Sequence, residues 1–330
     1  MRVPLLCSVA VILLLVDLLA ARSPQVLKLL DTVTMDEIEG PVQHLAVDIK
    51  GQRIFLAASS HNTVEVFGAQ KLKRLSTISG LADPQDLVFL PASNRLLVSN
   101  GADGSLRTYD GTTLKLIDSK PLGGDADRIG IGPGGKSVLV GWGVGGMAIV
   151  DMQSGKRTDI RLQSHPESFQ LAFGGSRIFV NLPGLQQIAV IDRRSETISA
   201  LWSVHPYRGN ELMALDEESR RIFVVCRKPA KLLVFNMEDG DLVTSMSTVA
   251  DAGDVFFDRE RKRIYVVGGE GELAVYRQKS ADEYSSMGRV DTVPGARTGL
   301  FVPEWNRLYV AARDNPPNSP AEMLSFAVME

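Results

Sequence analysis

Acids, arginines and histidines placed just ahead of apolar segments are the residues of this 330-residue chain best suited to chemistry. His44, Asp86, Arg128, Ser168, Leu212, Asp254 and Thr298 each stand nine residues before one of seven similar segments, and Gln43, Gln85, Asp127, Glu167, Glu211, Gly253 and Arg297 stand one residue earlier. If the segments surround one axis, these residues form a polar ring. It carries acids from five segments (Asp86, Asp127, Glu167, Glu211, Asp254) and cations from two (Arg128, Arg297). Such a ring suits a cationic, sugar-like or peptide ligand, or a divalent metal. It equally suits a wet channel whose strand ends satisfy each other and water. The residues expected to bind ligand are His44, Gln85, Asp86, Asp127, Arg128, Glu167, Glu211, Asp254 and Arg297. A fourth turn one residue longer than the others would put Glu167, rather than Ser168, in register with His44.

The four histidines, His44, His61, His165 and His205, fall in loops expected on one face, but they belong to different segments around the ring. No three of them are expected at one zinc ion, whose ligands sit ~2 Å from the metal. Pairs such as His165 with His205, or His44 with Asp86 or Asp254, remain open, and His165-Pro166 and His205-Pro206 also read as loop punctuation. Gly141-Trp142-Gly143-Val144-Gly145-Gly146 has Gly-x-Gly spacing without a following helix. It reads as a loop offering Trp142 as a stacking surface rather than as a nucleotide cradle. Asn100 to Gly104 is too short for a calcium loop, and no Gly-x-Ser-x-Gly elbow occurs. The basic stretch Arg227-Lys228-Pro229-Ala230-Lys231 is isolated in a chain of net charge −3, which argues against nucleic acid as a partner.

The elements that must position these groups are repeats. Arg53-Ile54-Phe55-Leu56 recurs as Arg95-Leu96-Leu97-Val98, Ser137-Val138-Leu139-Val140, Arg177-Ile178-Phe179-Val180, Arg221-Ile222-Phe223-Val224, Arg263-Ile264-Tyr265-Val266 and Arg307-Leu308-Tyr309-Val310, at steps of 40 to 44 residues. Each copy has a short apolar strand upstream, as in Leu45-Ala46-Val47-Asp48, a third strand downstream, as in Lys231 to Phe235, and a more polar fourth one, as in Asp241 to Met246. Four strands per ~40 to 45 residues make a propeller blade. The expected fold is therefore all-β, a seven-bladed β-propeller of four-stranded antiparallel blades. The seventh copy supplies three strands, and Val26 to Val33 is expected to add the fourth and close the ring. Residues 23–330 then form a single domain.

An apolar strand ending in Asp, a short turn, Arg-Ile/Leu-Phe/Tyr-Val and an Asn- or Gly-bearing loop together resemble the YVTN-type repeat of YncE-like exported bacterial propellers. The likeness spans roughly residues 26 to 330. The literal Tyr-Val-Thr-Asn string is absent, and its nearest counterparts are Leu97-Val98-Ser99-Asn100 and Phe179-Val180-Asn181. The resemblance implies an exported binding or scaffold protein with no shared catalytic residues.

Arg2, the apolar residues to Ala20 and the Ala20-Ala21 step read as a signal peptide over residues 1–22, with an uncleaved anchor as the rival reading. Asp17 would be costly at a bilayer centre. The expected location is periplasmic, secreted or at the cell surface. Of two cysteines, Cys7 lies in that segment, and Cys226 reads as a small buried strand residue. The functional expectation is a monomeric binding or scaffold propeller that presents its polar channel mouth to a small molecule, glycan or protein. It has no recognised catalytic set and no required cofactor, although a divalent metal fits the ring. The alternative is a lactonase-like hydrolase or lyase using a metal or a His/acid pair such as His44 with Asp254 or Glu167.

Overall fold

Every one of the seven repeated segments begins a strand at its first residue, from Arg53–Ala58 in blade 1 to Arg307–Ala312 in blade 7. The computed structural model describes residues 25–315 and 319–330 and shows seven four-stranded antiparallel sheets in a ring. The proposed signal segment, 1–22, lies outside the described residues. No helix among the described residues is long and apolar enough to cross a membrane.

The innermost strands run Val42–Asp48, Pro84–Leu90, Ala126–Ile131, Phe169–Leu171, Arg208–Asp216, Ala252–Asp258 and Ala296–Val302 in blades 1 to 7. Leu27–Thr34 pairs antiparallel with Glu322–Val328 and completes blade 7, with Leu27 opposite Val328 and Thr34 opposite Glu322. This is the closure the sequence suggested. It covers the edge of Glu322–Val328 and gives blade 7 the four strands of the other blades.

Apolar side chains alternate along the strands, so each sheet carries apolar residues on both faces and packs against a neighbour on each side. The core is accordingly divided into seven clusters, one per blade interface. Val26 and Leu27 join Tyr265, Val267 and Phe326 between blades 6 and 7, so the closing strand contributes packing as well as pairing. Ile54 and Leu56 meet Tyr309 and Met323 between blades 7 and 1.

The recurring arginine has a physical role on the face opposite the predicted site. Arg53 donates to the Asp48 carboxylate and to the Gly111 carbonyl of the next blade, both at 2.6 Å. Arg177 reaches the Met237 carbonyl at 3.1 Å, Arg221 the Ala281 carbonyl at 3.0 Å, and Arg263 the Met329 carbonyl. In these four blades the guanidinium fastens the first turn of one blade to the turn after the third strand of the next, whereas Arg95 and Arg307 bond within their own blades, to Asp110 and Ser325. The residue before the anchor adopts a left-handed conformation in blades 1, 2, 5, 6 and 7, at Gln52, Asn94, Arg220, Lys262 and Asn306. Blades 3 and 4 use the left-handed pairs Gly134-Gly135 and Gly174-Gly175 instead.

Candidate functional site

The strand pairing fixes the ring's register. Leu45 pairs with Leu56, Leu87 with Val98, Ile129 with Val140, Phe169 with Val180, Met213 with Val224, Val255 with Val266 and Gly299 with Val310. The residues just before them, His44, Asp86, Arg128, Ser168, Leu212, Asp254 and Thr298, are therefore equivalent. The fourth turn carries no extra residue. Ser168 matches His44, and Glu167 occupies the outer row with Gln43.

Side chains alternate across a regular strand, so two successive residues should not both face the channel. Six of the seven innermost strands have a register irregularity at this position, between Val42 and Leu45, Pro84 and Leu87, Ala126 and Ile129, Asn210 and Leu212, Ala252 and Asp254, and Ala296 and Thr298. Bulges of this kind re-aim side chains at the ends of sheets. At blade 6 the irregularity needs a glycine, because a Cβ on Gly253 would lie 2.0 Å from the Arg297 carbonyl oxygen.

The two rows differ in function. In the deeper one, Asp86 and Asp254 hold neighbouring blades together. Asp86 Oδ2 accepts the Ile129 N–H of blade 3 and its Oδ1 the Leu87 N–H, both at 2.8 Å. Asp254 Oδ2 accepts the Gly299 N–H of blade 7 at 2.7 Å. Burial raises both carboxyl pKa values to about 6, against the pull of Arg128 and of these hydrogen bonds. Arg128 lies between them. Its Nη2 is 3.7 Å from Asp254 Oδ1, and its Nη1 donates to His44 Nδ1 at 3.0 Å. A guanidinium only donates, so His44 Nδ1 is an acceptor and the ring is neutral with its proton on Nε2. Burial and the charges of Arg128 and Arg297 hold the imidazole well below its ordinary pKa. The His44–Asp254 approach of 3.8 Å is thus not an acid/base pair poised near neutral pH.

Above this layer opens a cavity of about 350 Å³ lined by Gln43, His44, Gln85, Asp127, Arg128, Glu167, Glu211, Arg227, Arg297, Arg313 and a few small or apolar residues. Seven of the nine predicted residues reach it; Asp86 and Asp254 do not. Sequence reasoning did not place Arg227 or Arg313 at the site, because they come from the far ends of second strands rather than from the ring. Arg227 pairs with Glu211 and donates to the Ala252 carbonyl at 2.9 Å. Arg297 is 3.6 Å from Asp251. The cavity's charge is uneven, with acids on blades 3 to 5 and most of its arginines on blades 5 and 7.

His165, weighed in the sequence and left outside the expected site, stands at the rim beside two of its acids. Its Nδ1 is 2.5 Å from the Gly143 carbonyl and its Nε2 3.4 Å from Asp127 Oδ2. Ligand atoms of Asp127, His165 and Glu167 all lie within 4.8 Å of one another. The Asp127 hydrogen bond is the main cause of a His165 pKa raised to about 9, burial opposing it. Glu167 has no hydrogen-bond partner for its carboxylate among the described residues; burial first, then Asp127 and Glu211, raise its pKa to about 7. His61 Nε2 accepts the Glu39 N–H at 2.8 Å, and His205 is exposed in its own loop, so neither joins the cluster.

Trp142 contacts Arg157, whose guanidinium carbon is 5.2 Å from the indole centroid, while Val144 beside it is 95% exposed. Cys226 is fully buried. Burial pushes its thiol up to about 12, which rules it out as a nucleophile at neutral pH. No protein-family model and no curated protein matches the chain.

Proposed function

We propose that the protein is an exported binding propeller that takes a small, polar, dipolar molecule into its channel mouth. The observation carrying this reading is the cavity of about 350 Å³ with its acids on blades 3 to 5 and Arg297 and Arg313 facing it from blade 7. Its volume lies at the small end of ligand sites, suited to an amino acid, a short peptide terminus or a charged sugar. Asp127, Glu167 and Glu211 would receive the cationic end, and Arg297 and Arg313 the anionic end. In blades 1, 3, 5 and 7 two consecutive residues line the cavity, permitted by the bulges, and supply more polar groups than a regular strand would. Export rests on the signal-like pattern of residues 1–22, and kinship with YncE-like propellers rests on the repeat pattern.

The test is a thermal-shift screen of the full mature chain with amino acids, dipeptides and uronic acids, followed by calorimetry on any that stabilise it. The reading expects saturable binding that Arg297→Gln and Glu211→Gln each weaken at least about tenfold, the size of one lost charge-assisted hydrogen bond. Ligands that bind unaffected by both substitutions would place the site elsewhere and overturn the reading.

A further inference from the structure

We propose that Asp127, His165 and Glu167 hold a divalent transition-metal ion of the zinc or manganese class, with a fourth coordination position open to the channel-mouth cavity. The three residues come from adjacent blades. Asp127 sits on the irregular start of the blade 3 inner strand, and His165 and Glu167 lie in the loop that leads into blade 4. Their ligand atoms converge within 4.8 Å. The 3.4 Å separation of His165 Nε2 and Asp127 Oδ2 matches the edge of a tetrahedron with metal–ligand bonds of about 2.0 Å, which is roughly 3.3 Å.

The imidazole is oriented for this task. A carbonyl only accepts, so the His165 Nδ1–H donates to the Gly143 oxygen, and a proton is fixed on this nitrogen, which also lies 3.7 Å from Asp125 Oδ2. Metal-binding histidines are characteristically held this way, by a hydrogen bond from the second ring nitrogen to a carbonyl or carboxylate. Metal binding would displace the Nε2 proton that bridges to Asp127 and free the lone pair on the side of Asp127 and Glu167. Two carboxylates and one neutral imidazole balance a divalent ion. An imidazole donor favours zinc over calcium or magnesium, which prefer oxygen alone, and the two carboxylates suit manganese as well. Three protein ligands leave one position free, as in metal centres that bind an exchangeable molecule. Asp127 and Glu167 line the cavity, so that position faces the same space. The metal reading stands on the cluster's own geometry and does not require the dipolar-ligand reading.

The experiment uses the full mature chain, stripped with chelator and titrated by calorimetry with zinc chloride and, separately, manganese chloride. Thermal unfolding is followed in parallel. The expected result is one ion per chain with a micromolar or tighter Kd, a rise in Tm on metal addition, and at least about a tenfold loss of affinity in His165→Gln and in Glu167→Gln. Glu167→Gln guards against misfolding, because the Glu167 carboxylate has no hydrogen-bond partner to lose among the described residues. His205→Gln, which alters an exposed histidine in another loop, is expected to bind as the parent does. The proposal is overturned if neither ion binds saturably, or if binding survives both cluster substitutions or follows His205. Repeating the organic-ligand screen in chelator separates the two readings: ligands that bind the stripped protein keep the pocket alive even if the metal site fails.

Discussion

Replacing Asp254 with Asn should make the protein more stable at pH 8 while leaving it nearly unchanged at pH 4. Asp254 is only 7% exposed. It faces Arg128 at 3.7 Å, His44 at 3.8 Å, the Gly299 N–H at 2.7 Å and, more distantly, Arg297 and Asp86. Burial lifts its pKa from 3.8 to about 6, which exceeds what Arg128 and the Gly299 hydrogen bond take back. Between those values the unfolded chain has lost this proton and the folded chain has kept it. Stability is therefore fully present below pH 3.8 and declines as pH rises through 6. At 1.36 kcal/mol per pKa unit the decline is about 3 kcal/mol for this group. The amide of Asn still accepts the Gly299 N–H but never ionises, so the variant escapes the decline. At about 2 °C per kcal/mol for a chain of this size, the Tm difference between variant and parent should grow by roughly 6 °C from pH 4 to pH 8. Differential scanning calorimetry at the two pH values reads it directly. Asp254→Ala serves as the control: it leaves the Gly299 N–H unpaired and should cost about 1 to 3 kcal/mol at both values. A Tm difference for Asp254→Asn that does not change with pH, or that turns unfavourable at pH 8, would show that the Arg128 pair outweighs burial and would refute the reasoning.

Three further outcomes are expected. Deleting residues 1–34 removes Val26 and Leu27 from the interface of blades 6 and 7 and bares the edge of Glu322–Val328, so Tm should fall and the protein should associate on size-exclusion chromatography. Loss of Leu27 packing alone is worth about 2 to 5 kcal/mol, and an unchanged unfolding curve would disprove closure by this strand. Arg53→Met should cost about 1 to 3 kcal/mol in denaturant unfolding, because the Gly111 carbonyl loses this donor and the buried Asp48 carboxylate keeps only the Gly51 N–H. The Cys226 thiol should resist a disulfide reagent in the native protein at pH 8 and react fully in denaturant; rapid native labelling would contradict its burial.

The architecture was legible in the sequence because a propeller repeats one local pattern. Strand alternation and turn residues at fixed offsets recur seven times, with an Arg at six of the seven second-strand starts, so an error at one blade is corrected by its neighbours. Counting also found the closing strand and the register of the ring, including the equivalence of His44, Asp86, Arg128 and Asp254. What sequence could not decide was which polar residue meets which partner. Asp86 and Asp254 look like site acids in one dimension, and only the approach of the next blade's Ile129 and Gly299 N–H groups makes them staples. Arg227 and Arg313 reach the cavity from second strands, at a distance from the ring that no spacing rule marks. His165 joins Asp127 only because the loop into blade 4 folds back over blade 3, where the Gly143 carbonyl holds its ring. Local periodicity is written in the chain itself, whereas contacts between blades depend on side-chain reach and on the bulges at the channel mouth, and those exist only once the ring has closed.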